Sequence, residues 1–264
     1  MCGHVGCAGN LSHKHRRMFR NMLIFDTIRG FDSTGIAFVG LHDNAKAVVE
    51  KEIGVPSNLW DWHNSDLLDT KGDAKHIQKV MLGHNRAATI GTVTSENAHP
   101  FEFGHITGAH NGTLTDWADL EGYREFDVDS KAVFKTIETK GIDHMWKNFL
   151  GAAALVWWDQ KEKTLNLIRN SRRPLYISYS KAEDAVFWAS EPWMIRVAAS
   201  KESVDLWEGD DTLPQVFQLK EDTLHTFVPT STNISLSEVR ELEKKPMPRA
   251  TTYGTTGSGT VSTY

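Results

Sequence analysis

The chain has 264 residues, 40% hydrophobic and 24% charged, which is enough apolar material for one sizeable globular domain with appendages. Its formal net charge is −5 and it has no block of basic residues, so it lacks the electrostatic footprint of a general nucleic-acid binder. No run of about 18 apolar residues reads as a membrane span, and no apolar stretch near the start reads as a secretory leader.

In chain order, residues 2–9 read as a short strand. Ser12 is placed to cap a helix over residues 12–28, with Met18, Met22 and Phe25 at helical spacing and Gly30 as its stop. Residues 35–41 and 47–53 are β-rich and flank His42-Asp43-Asn44-Ala45, a hairpin signal. Further strands are expected over residues 80–86 and 105–110. Asp129-Ser130 would cap a helix carrying Val133, Phe134 and Ile137 on one face, and a second helix is expected over residues 142–150. Residues 152–158 form a buried-type strand, in which Trp157 and Trp158 would face opposite ways, and residues 164–169, 175–179 and 185–189 continue as a meander. Residues 191–199 read as a helix with Pro192 in its first turn. Many strands beside two packs of helices indicate an α+β fold. The expected domain covers residues 2–228. Residues 229–264 are expected to be a largely flexible extension rich in Ser, Thr, Gly and Pro, interrupted by a short helix over 236–245.

Two cysteines occur, Cys2 and Cys7. On one short strand they are poorly placed to pair, so a reducing, cytoplasmic setting is expected, with Cys7 as a small core residue. Removal of Met1 would make Cys2 the terminal residue, with a thiol and an α-amine on one carbon. The thiol's reference pKa is about 8.5 and the amine's about 7.7–8.0, so the amine can serve as base for its own side chain.

Three later segments belong with that start. They are Arg29-Gly30-Phe31-Asp32-Ser33-Thr34-Gly35; Gly83-His84-Asn85-Arg86-Ala87-Ala88-Thr89 followed by Asn97-Ala98-His99-Pro100-Phe101; and Ala109-His110-Asn111-Gly112-Thr113-Leu114. With Cys2-Gly3-His4-Val5-Gly6 these resemble the class II, N-terminal-nucleophile glutamine amidotransferases, notably the glutaminase domains of glucosamine-6-phosphate synthase and amidophosphoribosyltransferase. The resemblance implies a four-layer αββα sandwich of two antiparallel sheets. It also implies that Cys2 attacks the side-chain amide of L-glutamine, forming a thioester. Asn111 would supply a side-chain N–H and Gly112 a backbone N–H to the oxyanion. Arg86 would hold the α-carboxylate, Asp129 the α-ammonium, with Thr89 lining the same loop and Arg29 walling the nucleophile. Asp32 and Ser33 would brace their loop.

Read apart from the resemblance, Asn111-Gly112 is a hairpin-turn signal and Asp129 a plain helix cap. Several positions depart from the family pattern. His4 stands where an apolar residue is usual, either as a hydrogen-bonded core histidine or as a group tuning the thiolate. Ala87 replaces an aromatic residue, Ile90 a histidine, and Lys131 an acid. No cofactor is expected. Twelve scattered histidines and two cysteines make no zinc cage. The implied partner is a separate ammonia-accepting synthase or synthetase, with no nucleic acid and no membrane. Two other readings stay open: an N-terminal-nucleophile amidohydrolase of another linear amide, and a non-catalytic module that kept the fold.

Overall fold

The computed structural model describes residues 1–40, 46–59, 78–182, 184–210, 212 and 214–244. The hairpin tip expected at His42–Ala45 and the tail expected over 246–264 lie outside the described residues.

The chain opens with β1 (Gly3–Gly9) and α1 (His13–Phe25). Ser12 caps α1 as expected: its hydroxyl accepts from His15 N, and His15 Nδ1 accepts from Ser12 N, a reciprocal capping box. The helix is shorter than expected, because it tightens into a 3-10 turn at Asp26–Ile28. Then come β2 (Ser33–Gly40), β3 (Ala47–Ile53), β4 (Gln78–Arg86), β5 (Phe101–Phe103) and β6 (Ile106–Asp116). The helix α2 (Asp129–Lys147) is broken at Gly141, whose φ of 81° lies in the left-handed region; the two expected helices are therefore two arms of one kinked element. The second arm ends at Lys147, and Leu150 opens the next strand.

That strand is β7 (Leu150–Asp159), followed by β8 (Thr164–Arg169), β9 (Tyr176–Tyr179), β10 (Ala185–Ala189), α3 (Pro192–Glu202), β11 (Phe217–Gln218), β12 (Thr223–Pro229) and β13 (Ile234–Glu241). They assemble into two antiparallel sheets, β11-β9-β10-β1-β4-β2-β3 and β13-β12-β8-β7-β6-β5. The expected meander is not one sheet. The strands β7 and β8 pair in the second sheet, whereas β9 and β10 pair in the first.

Three apolar clusters fill the layers. Val5, Met18, Phe19, Met22, Phe187 and Ile195 join α1 and α3 to the first sheet. Ala8, Leu82, Val156, Trp158, Trp188 and Phe227 pack between the sheets. Val133, Phe134, Trp146, Leu155 and Trp157 join α2 to the second sheet. This is the four-layer αββα order. It explains why Trp157 and Trp158 point oppositely yet are both buried: each face of β7 is covered.

One expectation fails at the C-terminal end. Leu236, Val239 and Leu242 follow helical spacing, but residues 234–241 form β13, paired along β12 through a bulge at Thr226/Phe227. The open edge of β12 offers a row of backbone partners, and a weak local preference yields to it. The ordered fold therefore passes the expected boundary at residue 228 and includes buried Ile234 and Leu242.

Candidate active site

The strand β1 lies in the middle of the first sheet between β4 and β10, with Gly3 opposite Asn85 and His4 opposite His84. This register sets Cys2 beside the C-terminal end of β4, where Arg86 ends the strand. The strand β2 brings Ser33 opposite Arg86 from the other side. Three of the sequence motifs thus meet at one end of one sheet.

Cys2 is 9% exposed, while Met1 before it is 72% exposed. The Ala87 N–H donates to Cys2 Sγ at 3.3 Å, and the sulfur lies 3.3 Å from the Ala87 carbonyl oxygen. Burial pushes the Cys2 thiol up; the Ala87 hydrogen bond, the positive chain terminus and Arg86 pull it down without cancelling the burial. At neutral pH the group is a thiol and needs a base to become a nucleophile. Ala87 engages the sulfur through its backbone alone, so the loss of an aromatic side chain there leaves this contact intact.

Arg29 closes the other side. Its Nε donates to the Cys2 carbonyl at 3.0 Å, and its Nη1 pairs with Glu191. Gly30 packs directly on the Arg86–Ala87 backbone, where an added Cβ would fall 2.5 Å from the Arg86 carbonyl carbon. Asp32 braces this contact as expected: its N–H donates to Arg86 O at 3.0 Å, and its Oδ2 accepts from Ala88 N at 2.7 Å. The Ser33 hydroxyl is buried without a hydrogen-bond partner.

Arg86 is buried, and both ends of its fork are in use. Nη1 donates to Thr92 O at 3.0 Å and Nη2 to Ile90 O at 2.6 Å. Each terminal nitrogen carries a second hydrogen for an incoming carboxylate. Arg86 therefore shapes the 87–92 loop. The Thr89 hydroxyl of that loop lies 3.2 Å from the Thr113 hydroxyl, which ties the loop to β6. Farther along, Asn97 Nδ2 donates to Thr92 O and to Asp127, and Lys131 donates to Asn97 Oδ1 at 2.7 Å. Lys131, the departure from the family acid, thus fastens this loop to α2.

Asn111 and Gly112 lie inside β6, opposite Ala154 and Ala153 of β7, and so are not a hairpin turn. Gly112 is required by close packing on β7: a Cβ there would fall 1.8 Å from Ala152 O. This packing need stands beside the oxyanion role that the resemblance implies for its backbone N–H. Asp129 opens α2 and accepts from Leu114 N at 2.8 Å and from Ser130 N at 2.9 Å, so the start of α2 grips β6 two residues past Gly112. His110 sits in the same joint, with Nδ1 2.9 Å from Ser130 Oγ.

Sequence reasoning missed Asp26, Ser190 and Glu191. Asp26 is fully buried, accepts from Asn85 Nδ2 at 3.2 Å, and is pushed up strongly by desolvation. It presses on Gly3, where a Cβ would fall 1.7 Å from its Oδ1. Nothing in the spacing of the sequence singles out these three; their partners lie across sheets. Among the described residues, no three His, Cys, Asp or Glu side chains gather to hold a metal ion, and no helix is long and apolar enough to cross a membrane.

Two face-to-face antiparallel sheets with helices outside form the fold of the N-terminal-nucleophile hydrolases. The B. subtilis glutamine phosphoribosylpyrophosphate amidotransferase complexed with ADP and GMP shares it, with a TM-score of 0.59 at 18% identity over 89% of this chain and 49% of that one. A glutamine aminotransferase class-II domain protein from Silicibacter pomeroyi aligns with a TM-score of 0.51 at 14% identity, over 91% of this chain and 98% of that one. Residues 84–196 match the model of a glutamine amidotransferase domain. The glutamine–fructose-6-phosphate aminotransferase of Helicobacter pylori is 27% identical over 77% of this chain and 32% of its own length. That of Listeria monocytogenes is 30% identical over 69% of this chain and 28% of its own. The chain carries a class II glutamine amidotransferase domain, and it spans about a third of the length of the curated relatives it matches.

Proposed function

We propose that this chain hydrolyses the side-chain amide of L-glutamine with Cys2 as nucleophile and delivers the ammonia to a separate synthase or synthetase. The observation that carries the reading is the placement of the Cys2 sulfur against Ala87, next to Arg86, with Arg29 on its carbonyl. After removal of Met1, the α-amine takes the thiol proton. The sulfur then attacks the amide carbon, and the oxyanion is met by Asn111 and Gly112. Loss of one such donor typically costs about 10²–10³ in turnover. The C–N bond breaks as the amine returns the proton, ammonia leaves, and water hydrolyses the γ-glutamyl thioester to glutamate and free thiol. Arg86 and Asp129 hold the two charged ends of the substrate, Arg86 through its remaining hydrogens. Thr89 and Arg29 shape the walls. The raised thiol pKa supports this order of events, because a buried thiol needs a base within reach.

Glutaminase assay of the Met1-free protein tests the reading. Glutamate and ammonia should form in equal amounts, and Cys2→Ala should abolish both while leaving the fold intact. Hydrolysis that survives Cys2→Ala would refute it. Hydrolysis of other linear amides in preference to glutamine would favour the broader amidohydrolase reading.

A further inference from the structure

Two fully buried side chains that no motif explains converge on Asn111. His4 lies two residues past Cys2 on β1, and its ring reaches across the interlayer to the second sheet. Its Nε2 lies 2.9 Å from Asn111 N and 2.9 Å from Ala154 O. With the ring hydrogen on Nδ1, Nε2 accepts from Asn111 N–H; with it on Nε2, the ring donates to Ala154 O. Both tautomers pin the ring against β6 and β7 at the level of Asn111. Burial holds the ring neutral, its pKa lowered to about 3.

Ser190, the residue after β10, completes the arrangement. Its Oγ accepts from His4 N at 2.8 Å and from Asn111 Nδ2 at 3.3 Å, while its own N–H donates to His4 O at 2.9 Å. Asn111 is thereby met at its side-chain amide by Ser190 and, with the ring hydrogen on Nδ1, at its backbone N–H by His4. Both contacts are anchored on the strand that carries Cys2. The neighbouring Glu191 extends the joint through Arg29 to the Cys2 carbonyl.

The physical need for such a joint follows from the fold. Cys2 stands just before the start of β1, a central strand of one sheet, and Asn111 lies within the other. The contact between the sheets is largely apolar, and apolar contact is non-directional: it holds layers together without setting their slide. Hydrogen bonds across the gap set it. A displacement of about 1 Å in such a site can cost about 100-fold in rate.

We propose that His4 on β1 and Ser190 at the end of β10 are positioning residues that clamp Asn111 from the first sheet, so that its side-chain amide keeps its aim relative to the Cys2 sulfur. This rests on the reading of Asn111 as an oxyanion donor. The clamp contributes to turnover through Asn111 and leaves thiol reactivity and glutamine binding to other groups.

The test is a double-mutant cycle in the Met1-free full chain. His4→Leu and Ser190→Ala are made singly and with Asn111→Ala. For each protein kcat and KM for glutamine, the rate of Cys2 alkylation by iodoacetamide, and the thermal midpoint are measured. Alkylation needs no oxyanion site. In the otherwise wild-type chain, each substitution should lower kcat about ten-fold or more, with KM and alkylation rate changed by less than about two-fold. In the Asn111→Ala chain, each should lower kcat further by less than about two-fold, because the clamped group is gone. Folded variants with wild-type kcat would overturn the proposal, as would an undiminished loss in the Asn111→Ala background. Ser190→Ala removes one hydroxyl and decides the matter if His4→Leu does not fold. If Asn111→Ala alone kept full kcat, the oxyanion reading itself would fall, and the clamp with it.

Discussion

Arg86 has a structural role beside the substrate-binding role proposed for it. Its fork suits a carboxylate, yet the structure first commits it to the Ile90 and Thr92 carbonyls. Arg86→Lys keeps the charge but loses the fork. We expect KM for glutamine to rise about 10–100-fold, the scale of one or two charge-assisted hydrogen bonds. We also expect proteinase K, which needs no basic residue, to cut the 87–92 loop faster, since its two carbonyl anchors are weakened. Unchanged KM in steady-state kinetics would contradict the clamp. Gly112 offers a sharper case. A methyl group placed 1.8 Å from Ala152 O forces β6 and β7 apart, so Gly112→Ala should destabilise the fold by about 1–3 kcal/mol in denaturant titration as well as remove activity. A Gly112→Ala protein of wild-type stability would show that the strands adjust. The motif residues were legible because chemistry restricts their type and spacing. Ser190, Glu191 and Asp26 were not, because what defines them is a partner on another strand; His4 stood out as a departure from the family pattern, but its partners did not.

At the scale of elements, the strands β1, β4 and β6 and the segment before β5 converge on a core of buried histidines. The rings of His4 and His84 are 5.1 Å apart and those of His84 and His99 4.1 Å apart. Desolvation lowers the pKa of His4, His84, His99 and His110 below the ordinary histidine value, while Asp129 pulls His110 back up in part. The consequence for stability has a definite sign. Below about pH 6.5 the unfolded chain binds protons that the folded chain refuses, so stability falls as pH drops. Each histidine contributes up to about 1.4 kcal/mol per pH unit over that window. Asp26, whose pKa burial raises well above the ordinary carboxylate value, has the opposite slope, but it is one group against these four histidines. Urea titrations at pH 7.5 and pH 5 should therefore differ by several kcal/mol in favour of pH 7.5. Equal stabilities would mean that the histidines are hydrated or charged in the fold. The helix α1 was readable from its cap and its apolar spacing. The strand β13 was not, since its residues carry helical spacing and only the waiting edge of β12 makes them a strand.

At the scale of the molecule, the αββα order follows from three apolar clusters; the pattern of strands and helices pointed only to an α+β fold, and the layer order came from the family resemblance. Sheet membership was less legible, because β8 and β9 are neighbours in sequence yet lie in different layers. A chain ending at residue 228 would lose β13 together with buried Ile234 and Leu242. Two buried aliphatic side chains represent about 3–6 kcal/mol, so its Tm should fall by roughly 10 °C or more, whereas a chain ending at residue 244 should keep its Tm. Equal midpoints would show that β13 is dispensable. The proposed reaction turns on one atom, the Cys2 sulfur, and on the amine that loss of Met1 would free beside it. The most direct measurement is intact-mass analysis and peptide mapping after incubation with a glutamine analogue whose side-chain amide is replaced by an electrophilic carbon. One adduct on Cys2, in protein that has lost Met1, with protection by glutamine and none on Cys7, is the result expected. Glutamine hydrolysis by protein that fully retains Met1, or labelling elsewhere with Cys2 untouched, would contradict the account.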